Sequence, residues 1–278
     1  MAKNDILLVV DGTWHIHRAF HVRPTSVKYM VLGWVCQYIV ETKATHVLVA
    51  FDSGRSFRHD IIDTYKGHRP VKQEGVLSPS DLTEPTSRYL QELGIHCEFG
   101  ECFEADDLLQ TTSVQWFKHR GKGSKVILAT TDKDNHQGLK KGVCEILKPR
   151  SIAKGGSKVY TVDDLLQETG FTPPQYLDYQ TLIGDSTDNI PKLMTPAVAK
   201  GLILRYKSLR SYMEQNRVWA NANASELNRN RRLVKLLSDC FELTPDLYKV
   251  ENLKKNRQDV KSSYYKQISS KNSLRSLF

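Results

Sequence analysis

Four aspartates each stand shortly after an apolar run of the chain, where their carboxylates could share a ligand. They are Asp11, Asp52, Asp132 and Asp134, and they follow the runs Ile6–Val10, His46–Phe51 and Lys125–Ala129. One aspartate in such a position is common, because aspartate favours turns and helix N-termini. Three runs that all end this way indicate a common site, since ligands of parallel sheets bind at the carboxyl edge of the strands.

Five further acidic residues fall in two short clusters. The first contains Glu104, Asp106 and Asp107 at the start of a predicted helix, and the second contains Asp185 and Asp188. Capping a helix requires one or two carboxylates, whereas three within four residues repel one another. The second cluster, taken alone, is better explained as a helix N-cap with an Asx turn.

If the fold brings these nine carboxylates together, they require cations, because neighbouring like charges raise each other's pKa. No Cys or His cluster accompanies them, so the ligands are oxygen atoms, which suit Mg²⁺, or Mn²⁺ as its substitute, better than Zn²⁺. Nine acids exceed the need of one ion and indicate two or more. Two ions about 3.5–4 Å apart can activate a water molecule and stabilise the leaving oxygen during phosphodiester hydrolysis.

The elements that must position these acids follow from the apolar pattern. The runs before the acids are continuously apolar, as in buried parallel strands, and Ile95–Glu98 is a weaker fourth candidate. Helical spacing lies between them, at Val27–Glu41, Leu82–Leu93 and Ala105–His119. This alternation predicts an α/β fold with a mostly parallel central sheet flanked by helices. Residues 53–81 are polar and basic, and a loop of this length inside a compact domain is typical of a functional segment rather than of a mere link between two elements.

From about residue 160 the pattern becomes helical, which predicts a second, helical domain. The predicted helices are Val162–Glu168, Pro174–Ile183, Pro196–Tyr206, Ser208–Asn216 and Ala224–Cys240. We assign residues 1–170 to the first domain and residues 171–278 to the second. Two domains agree with a chain of 278 residues at roughly 150 residues per domain.

The net charge of +9 is unevenly distributed along the chain. Residues 189–278 contain 18 Lys and Arg against 7 Asp and Glu, whereas residues 1–188 contain 22 against 24. A basic third beside a slightly acidic remainder favours a polyanionic partner such as nucleic acid, with a solvated basic surface as the alternative.

The composition, 40% hydrophobic and 26% charged, is that of a globular protein and excludes a disordered or collagen-like chain. Apolar runs do not exceed five residues, so we expect no membrane-spanning helix and no membrane partner. The first run ends at Asp11, too early for a signal peptide. The five cysteines form no CxxC pair, which argues against a disulfide framework or zinc site and favours a reducing cytoplasm.

Six motifs carry a resemblance to a known family. They are Asp11-Gly12 with Arg18-Ala19-Phe20-His21, Phe51-Asp52, Tyr65-Lys66-Gly67-His68-Arg69, Glu104-Ala105-Asp106-Asp107, Thr131-Asp132-Lys133-Asp134 and Gly184-Asp185-Ser186-Thr187-Asp188-Asn189-Ile190-Pro191. In this order they resemble the 5′-nuclease or flap endonuclease family, as in bacteriophage 5′–3′ exonucleases and the N-terminal nuclease domain of bacterial DNA polymerase I. The resemblance implies a PIN-like domain with a helical arch at about residues 64–85, followed by a helix–hairpin–helix-type DNA-binding region.

The resemblance also implies a role for each acid. Asp11, Asp52, Glu104 and Asp106 match the ligands of a first metal ion, Asp132, Asp134, Asp185 and Asp188 match those of a second, and Asp107 lies between the two sets.

Basic and aromatic residues of the motifs are expected to contact the nucleic acid. Lys66 and Arg69 match a basic pair at the base of the arch, which contacts the scissile phosphate and its transition-state charge. Tyr65 matches an aromatic residue on which a terminal base stacks, and Arg18 is expected to reach phosphate. Taken without the other motifs, the Tyr65–Arg69 segment is more simply interpreted as an exposed basic loop.

The chain departs from the family after Pro191. The family continues with a glycine-rich hairpin that grips duplex DNA through backbone N–H groups and a K⁺ ion, whereas residues 192–200 contain no glycine. Residues with a Cβ disfavour positive φ and close backbone approach, which weighs against the K⁺ site and the usual grip. The candidates to replace it through side-chain contacts are Lys192, Lys200, Arg205 and Lys207. A second departure, Asn135-His136 in place of apolar residues, is interpreted as local packing variation.

These features predict a metal-dependent 5′ nuclease acting on DNA in replication or repair, as a monomer in the cytoplasm of a bacterium or a phage-infected cell. Its expected substrates are flapped, branched, nicked or 5′-ended duplexes, and exonuclease and flap endonuclease activities both stay open because they use one site. A catalytically silent DNA-structure-binding protein is one alternative, which the complete set of acids argues against. A PIN-type ribonuclease is another, although its domains are typically shorter and lack the basic helical region.

Overall fold

The computed structural model of the protein describes residues 5–68, 74–149 and 156–253. Its strands are β1 (Ile6–Asp11), β2 (His46–Phe51), β3 (His96–Phe99), β4 (Lys125–Ala129), β5 (Cys144–Lys148) and β6 (Lys158–Tyr160). They form one sheet in the order β3-β2-β1-β4-β5-β6, in which β6 is antiparallel and the other neighbours are parallel. The predicted mostly parallel α/β fold is thereby confirmed, and β5 and β6 extend it beyond the four predicted strands.

Helices cover both faces of the sheet. In the described part of the chain they are α1 (Gly12–Val22), α2 (Val27–Thr42), α3 (Arg58–Ile61), α4 (Thr83–Glu92), α5 (Ala105–Arg120), α6 (Val162–Thr169), α7 (Pro173–Ile183), α8 (Pro196–Tyr206), α9 (Leu209–Gln215), α10 (Arg217–Ala222) and α11 (Ala224–Val234). Helices α1, α2 and α4 pack on one face, and α5 packs with α7 and α8 on the other. Strands buried on both faces need apolar residues at every position, which explains their continuous apolar runs. None of the described helices is long and apolar enough to cross a bilayer.

The strand order creates a switch point beside β1. Strand β1 lies between β2 and β4, so the connections leave it in opposite directions and open a crevice at its carboxyl end. Asp11 ends the strand there and caps α1 by accepting a hydrogen bond from the Trp14 N–H at 2.9 Å. Gly12 permits this tight turn, because a Cβ at its position would stand 2.3 Å from the Phe51 ring. The loops after β1, β2 and β4 therefore meet at one edge.

The predicted domain boundary at residue 170 runs through a shared core. One apolar cluster joins Leu7 and Leu48 of the sheet with Leu182, Leu202 and Leu227 of the C-terminal helices. The helices after residue 170 therefore stabilise the same sheet that carries the predicted acids.

Helix α11 ends at Val234, before the predicted end at Cys240, because the following residues dock in extended form along α5. The backbone N–H groups of Leu237, Cys240 and Leu243 donate to the side chains of Asp107 (3.0 Å), Thr111 (3.2 Å) and Gln115 (2.9 Å), respectively. These three acceptors lie one helical turn apart on a single face of α5. We call residues 235–243 the docked segment. Side chains of α5 thus satisfy backbone groups that a continued helix would have paired internally.

Candidate functional site

The structure brings eight of the nine predicted acids to the walls of two adjoining cavities at the carboxyl edge of the sheet. The smaller cavity, about 150 Å³, is lined by Glu104, Asp106, Asp132, Asp134, Asp185 and Asp188. The larger, about 720 Å³, is lined by Asp11, Asp52, Glu104, Asp106 and Asp132. Acids from the ends of β1 and β2, the loop after β4, the start of α5 and the loop between α7 and α8 therefore share one site.

Asp11 is one of three acids that we call the inner acids, the others being Asp106 and Asp134. Its carboxylate is 5% exposed and accepts hydrogen bonds from the Thr130 hydroxyl at 3.0 Å and from the Trp14 N–H. Burial, together with the negative charge of Asp52, raises its pKa to about 7.

Asp106 and Asp134 are likewise held by neutral donors. The Asn135 amide donates to Asp106 at 2.5 Å, and the Gln180 amide donates to Asp134. Burial and the charge of Asp132 raise the pKa of Asp106 well above its usual range. Burial and the same neighbour raise the pKa of Asp134 to about 7. Among the described residues, no Lys, Arg or His forms an ion pair with an inner acid, although the charge of Lys133 acts on Asp134 from a greater distance.

Glu104, Asp185 and Asp188, which we call the outer acids, each contact a lysine. The Lys66 ammonium lies 2.6 Å from Glu104 and 3.8 Å from Asp188, and the Lys133 ammonium lies 3.0 Å from Asp185. Although burial raises the pKa of Glu104, Lys66 and Arg58 hold it below the usual range. Burial is likewise outweighed at Asp185, where Lys133 lowers the pKa.

Two acids of the site belong to neither group. Asp52 accepts a hydrogen bond from the Ala105 N–H at 2.6 Å, which ties the end of β2 to the start of α5. Asp132 is exposed and accepts from the Asp134 N–H at 2.9 Å. Its carboxylate faces both cavities and raises the pKa of all three inner acids.

Asp107 differs from its prediction as a metal ligand. Its side chain has no exposed surface and receives two hydrogen bonds from the Arg58 guanidinium, at 2.6 and 2.8 Å. It also accepts from the N–H groups of Glu104 and Leu237, so its oxygens are already occupied. Asp107 is therefore an anchor for Arg58 and the docked segment. Nothing in the sequence distinguished Arg58 from the other basic residues of its loop.

Tyr65 also differs from its prediction as a stacking platform. Tyr65 is 3% exposed, and its hydroxyl lies 3.1 Å from Glu104 and 3.0 Å from Asp188, so its single proton is shared between these two carboxylates. A base cannot reach the ring face in this arrangement. Tyr65 instead links two outer acids from different parts of the chain.

The remaining predicted contacts lie at the surface or outside the described residues. Lys192, Lys200, Arg205 and Lys207 are all exposed. The Arg18 guanidinium lies between two indole rings, 5.3 Å from Trp14 and 4.8 Å from Trp34. Arg69 lies outside the described residues. The described parts of the predicted arch, residues 64–68 and 74–85, comprise turns, the 3-10 helix Pro79–Leu82 and the first residues of α4.

A compact loop, residues 184–195, joins α7 to α8 at the position where the resemblance implies a helix–hairpin–helix-type element. Asp185 and Ile190 close it with two backbone hydrogen bonds of 3.0 and 2.7 Å. Gly184 is needed at its start, since its φ is +62° and a Cβ there would stand 2.3 Å from the Ile190 carbonyl oxygen. The loop presents two outer acids and Lys192 on the same side of the fold.

The donor set fits divalent cations in its chemistry. All its side chains offer carboxylate oxygens, and the raised pKa values of the inner acids reflect negative charge that a cation would stabilise. In the present arrangement, no three His, Cys, Asp or Glu side chains of the described residues converge on one point. Binding of a cation to Glu104 or Asp185 requires Lys66 or Lys133, respectively, to release that carboxylate.

Comparisons with known proteins identify the family of the chain. The family model described as the 5′–3′ exonuclease, N-terminal resolvase-like domain matches residues 6–170. DNA polymerase I of Rhizobium leguminosarum is 28% identical over 90% of this chain, and the chain spans 25% of that relative's length. The 5′–3′ exonuclease of Bacillus subtilis is 29% identical over 85% of this chain and 80% of its own length.

A solved structure shares the fold. The bacteriophage T5 flap endonuclease, in a complex with DNA and metal ions, superposes with a TM-score of 0.66 at 22% identity and covers 95% of this chain and 98% of its own. The family model matches more than half of the residues. This chain therefore belongs to the 5′–3′ exonuclease family and contains its N-terminal resolvase-like domain.

Proposed function

We propose that this protein is a metal-dependent 5′ nuclease that hydrolyses phosphodiesters of DNA at or near 5′ ends and branched junctions. The observation that carries the proposal is the gathering of eight acids from five chain segments around two adjoining cavities. The names of its relatives support it, since they include a 5′–3′ exonuclease and a flap endonuclease bound to DNA. A monomer acting in the cytoplasm is part of the same proposal.

Two or more divalent cations, Mg²⁺ or Mn²⁺ as a substitute, would bind to the acids of the site. The first set of candidate ligands is Asp11, Asp52, Glu104 and Asp106, and the second is Asp132, Asp134, Asp185 and Asp188. Bound cations supply Lewis-acid chemistry, which activates a water molecule and stabilises the leaving oxygen. In the reaction, water oxygen bonds to phosphorus and the P–O3′ bond breaks, so a 5′-phosphate and a protonated 3′-hydroxyl form.

Lys66 is the side chain best placed to act on the scissile phosphate. It lines both cavities, and its backbone is fixed at φ +52° with its N–H donating to the Asp188 carbonyl at 3.1 Å. Its ammonium reaches Glu104 in this structure and could turn to the phosphate once the acids bind cations. There it would stabilise the charge that develops on the phosphate oxygens.

Cleavage of a labelled 5′-flap duplex, beside nicked, blunt and single-stranded controls, tests the proposal. We expect cutting with Mg²⁺ or Mn²⁺ and none in EDTA. Release of the flap at its junction indicates a flap endonuclease, whereas short products from nicked or blunt ends indicate an exonuclease. Tight binding to forked DNA without cutting in either metal would support the second candidate, a silent DNA-binding protein. The lysines that occupy the outer acids are the observation in its favour.

Replacing Asp132 or Asp185 by Asn should reduce cutting by two or more orders of magnitude, since metal-ion charge stabilisation contributes several kcal/mol. Binding to the same DNA, measured by fluorescence anisotropy in Ca²⁺, should change little because the basic surface is intact. Undiminished cutting by both variants contradicts the two-metal assignment.

The basic surface is tested separately through salt. Lys192→Ala and Lys200→Ala should each weaken DNA binding for all sequences and reduce the slope of log Kd against log salt by about 1. Lys118→Ala is the matched control, since that exposed lysine lies in the last turn of α5, at the far end of the helix from the acids. An equal loss in the control would show that the surface around α8 has no special role.

A further inference from the structure

Two buried amide side chains lie directly behind the acids. The Asn135 Nδ2 donates to the Asp106 Oδ1 at 2.5 Å, and the Gln180 Nε2 donates to the Asp134 Oδ1. Asn135 has no exposed surface, and Gln180 is 4% exposed. Each of these contacts joins different elements of the fold, since Asn135 stands in the 3-10 helix Lys133–Gly138 and Gln180 stands in α7.

Electrostatics determines which end of each amide faces its acid. A carboxylate accepts hydrogen bonds and repels a carbonyl oxygen, so the NH₂ end must face Asp106 or Asp134. The other end then points into the interior. There, neither the Asn135 Oδ1 nor the Gln180 Oε1 has a hydrogen-bond partner among the described residues. An apolar side chain would avoid both unpartnered oxygens, so packing alone does not explain the two amides.

The two amides connect three elements at the site, and two of these elements, α5 and the 3-10 helix, carry candidate ligands. Gln180 links α7 to the 3-10 helix through Asp134, and Asn135 links that helix to α5 through Asp106. Both donors are neutral, so they orient a carboxylate and leave its full charge for a cation. Lys133, by contrast, neutralises the acid that it holds.

We propose that Asn135 and Gln180 are positioning residues that hold Asp106 and Asp134 in place for a divalent cation. The proposal rests on the proposed function, since it assigns these two acids to a metal site. It also replaces the interpretation of Asn135 as local packing variation with a specific role beside the second set of acids.

The test measures Mn²⁺ binding to the full chain by electron paramagnetic resonance. Asn135→Leu and Gln180→Leu remove the donors at similar volume, and each should raise the Kd of Mn²⁺ about 10- to 100-fold. The matched control is Gln115→Leu, because the Gln115 amide lies on α5 but bonds the backbone of Phe241 and Leu243, away from both cavities. This control should lower the Tm and leave the Kd of Mn²⁺ unchanged.

A second readout distinguishes positioning from simple structural support. DNA cutting by Asn135→Leu should recover as the Mn²⁺ concentration is raised, whereas a purely structural defect does not respond to the metal. If a leucine variant does not fold, Asn135→Ala and Gln180→Ala, which add no volume, should give the same shift in Kd.

The outcomes separate this inference from the proposed function. Wild-type protein that binds Mn²⁺, with folded variants that bind it equally well, overturns the positioning role alone. Wild-type protein that binds no Mn²⁺ overturns the metal-dependent nuclease and the positioning role together.

Discussion

The inner and outer acids differ in what stabilises their negative charge. Asp11, Asp106 and Asp134 are held by a hydroxyl and two amides, and their pKa values are raised. Glu104 and Asp185 are held by lysines, and their pKa values are lowered. The fold therefore keeps one group in need of a cation and supplies the other with cations of its own.

This difference predicts that a divalent cation binds to the inner acids before it binds to the outer acids. The inner acids gain most from a divalent cation because their charge is not balanced. The outer acids must exchange a lysine for it, which makes Lys66 and Lys133 competitors of the metal. Once displaced, the same ammonium groups are free to contact a phosphate.

The largest effect is expected at Lys66. Lys66→Met should reduce single-turnover cutting by at least about 100-fold, since it removes the ammonium that the proposed function places on the transition-state charge. The same change should strengthen Mn²⁺ binding, because Glu104 loses its competing ammonium. A loss of both cutting and Mn²⁺ affinity would contradict the distinction between inner and outer acids, because Lys66 would then not compete with the cation.

A smaller effect is expected when an inner acid is neutralised. In EDTA at about pH 8, Asp134→Asn should raise the free energy of unfolding by about 1–3 kcal/mol, since a buried charge disappears and Asn can still accept from Gln180. Because the pKa of Asp134 is about 7 in the folded protein against an ordinary value of 3.8, the wild type loses stability as the pH rises from about 4 to 7.

The advantage of the variant should therefore shrink towards zero near pH 4. Urea denaturation of both proteins across this range measures it. His15 and His136, whose pKa values burial lowers to about 4, affect both proteins alike and cancel in the difference. A difference that does not depend on pH would show that the charge of Asp134 is not the cause.

The smallest effect is expected at Lys133. Its ammonium is half exposed, so its pair with Asp185 is partly screened by solvent. Lys133→Met should lower the Kd of Mn²⁺ about 2- to 5-fold, in proportion to a surface ion pair worth up to about 1 kcal/mol. Lys141→Met is a suitable control, because Lys141 pairs with Asp163 at 3.1 Å away from both cavities. A weaker Mn²⁺ affinity in Lys133→Met would contradict competition.

The interior strands of the sheet were predicted from the sequence more accurately than the edge strand β6 and the first helix. Continuous apolar runs identified β1, β2 and β4, since buried parallel strands require them. Strand β6 was missed because it has only three residues, of which the first two are exposed, so it forms no continuous apolar run. Helix α1 was missed because its polar and apolar residues, Gly12–Val22, include three histidines that blur the helical period.

The site, too, could be predicted only in part from the sequence. Types and spacing were sufficient to find the acids that line the cavities. They could not show that Asp107 faces Arg58, a partner 49 positions away, or that Tyr65 is buried between two carboxylates. Asn135 was visible as a polar residue among expected apolar ones, yet its function depends on a contact with α5 that only the fold reveals.

The docked segment also sets the sequence of events in folding. Asp107 binds Leu237, 130 positions further along the chain, and Arg58 donates to the Leu233 carbonyl, 175 positions away. Contacts of such high sequence separation form late, because long loops must close before they are gained. During synthesis, the start of α5 therefore receives its last anchor only after residue 237 has left the ribosome. Glu104 and Asp106 flank this anchored position, so the start of α5 that carries them becomes fixed late in folding.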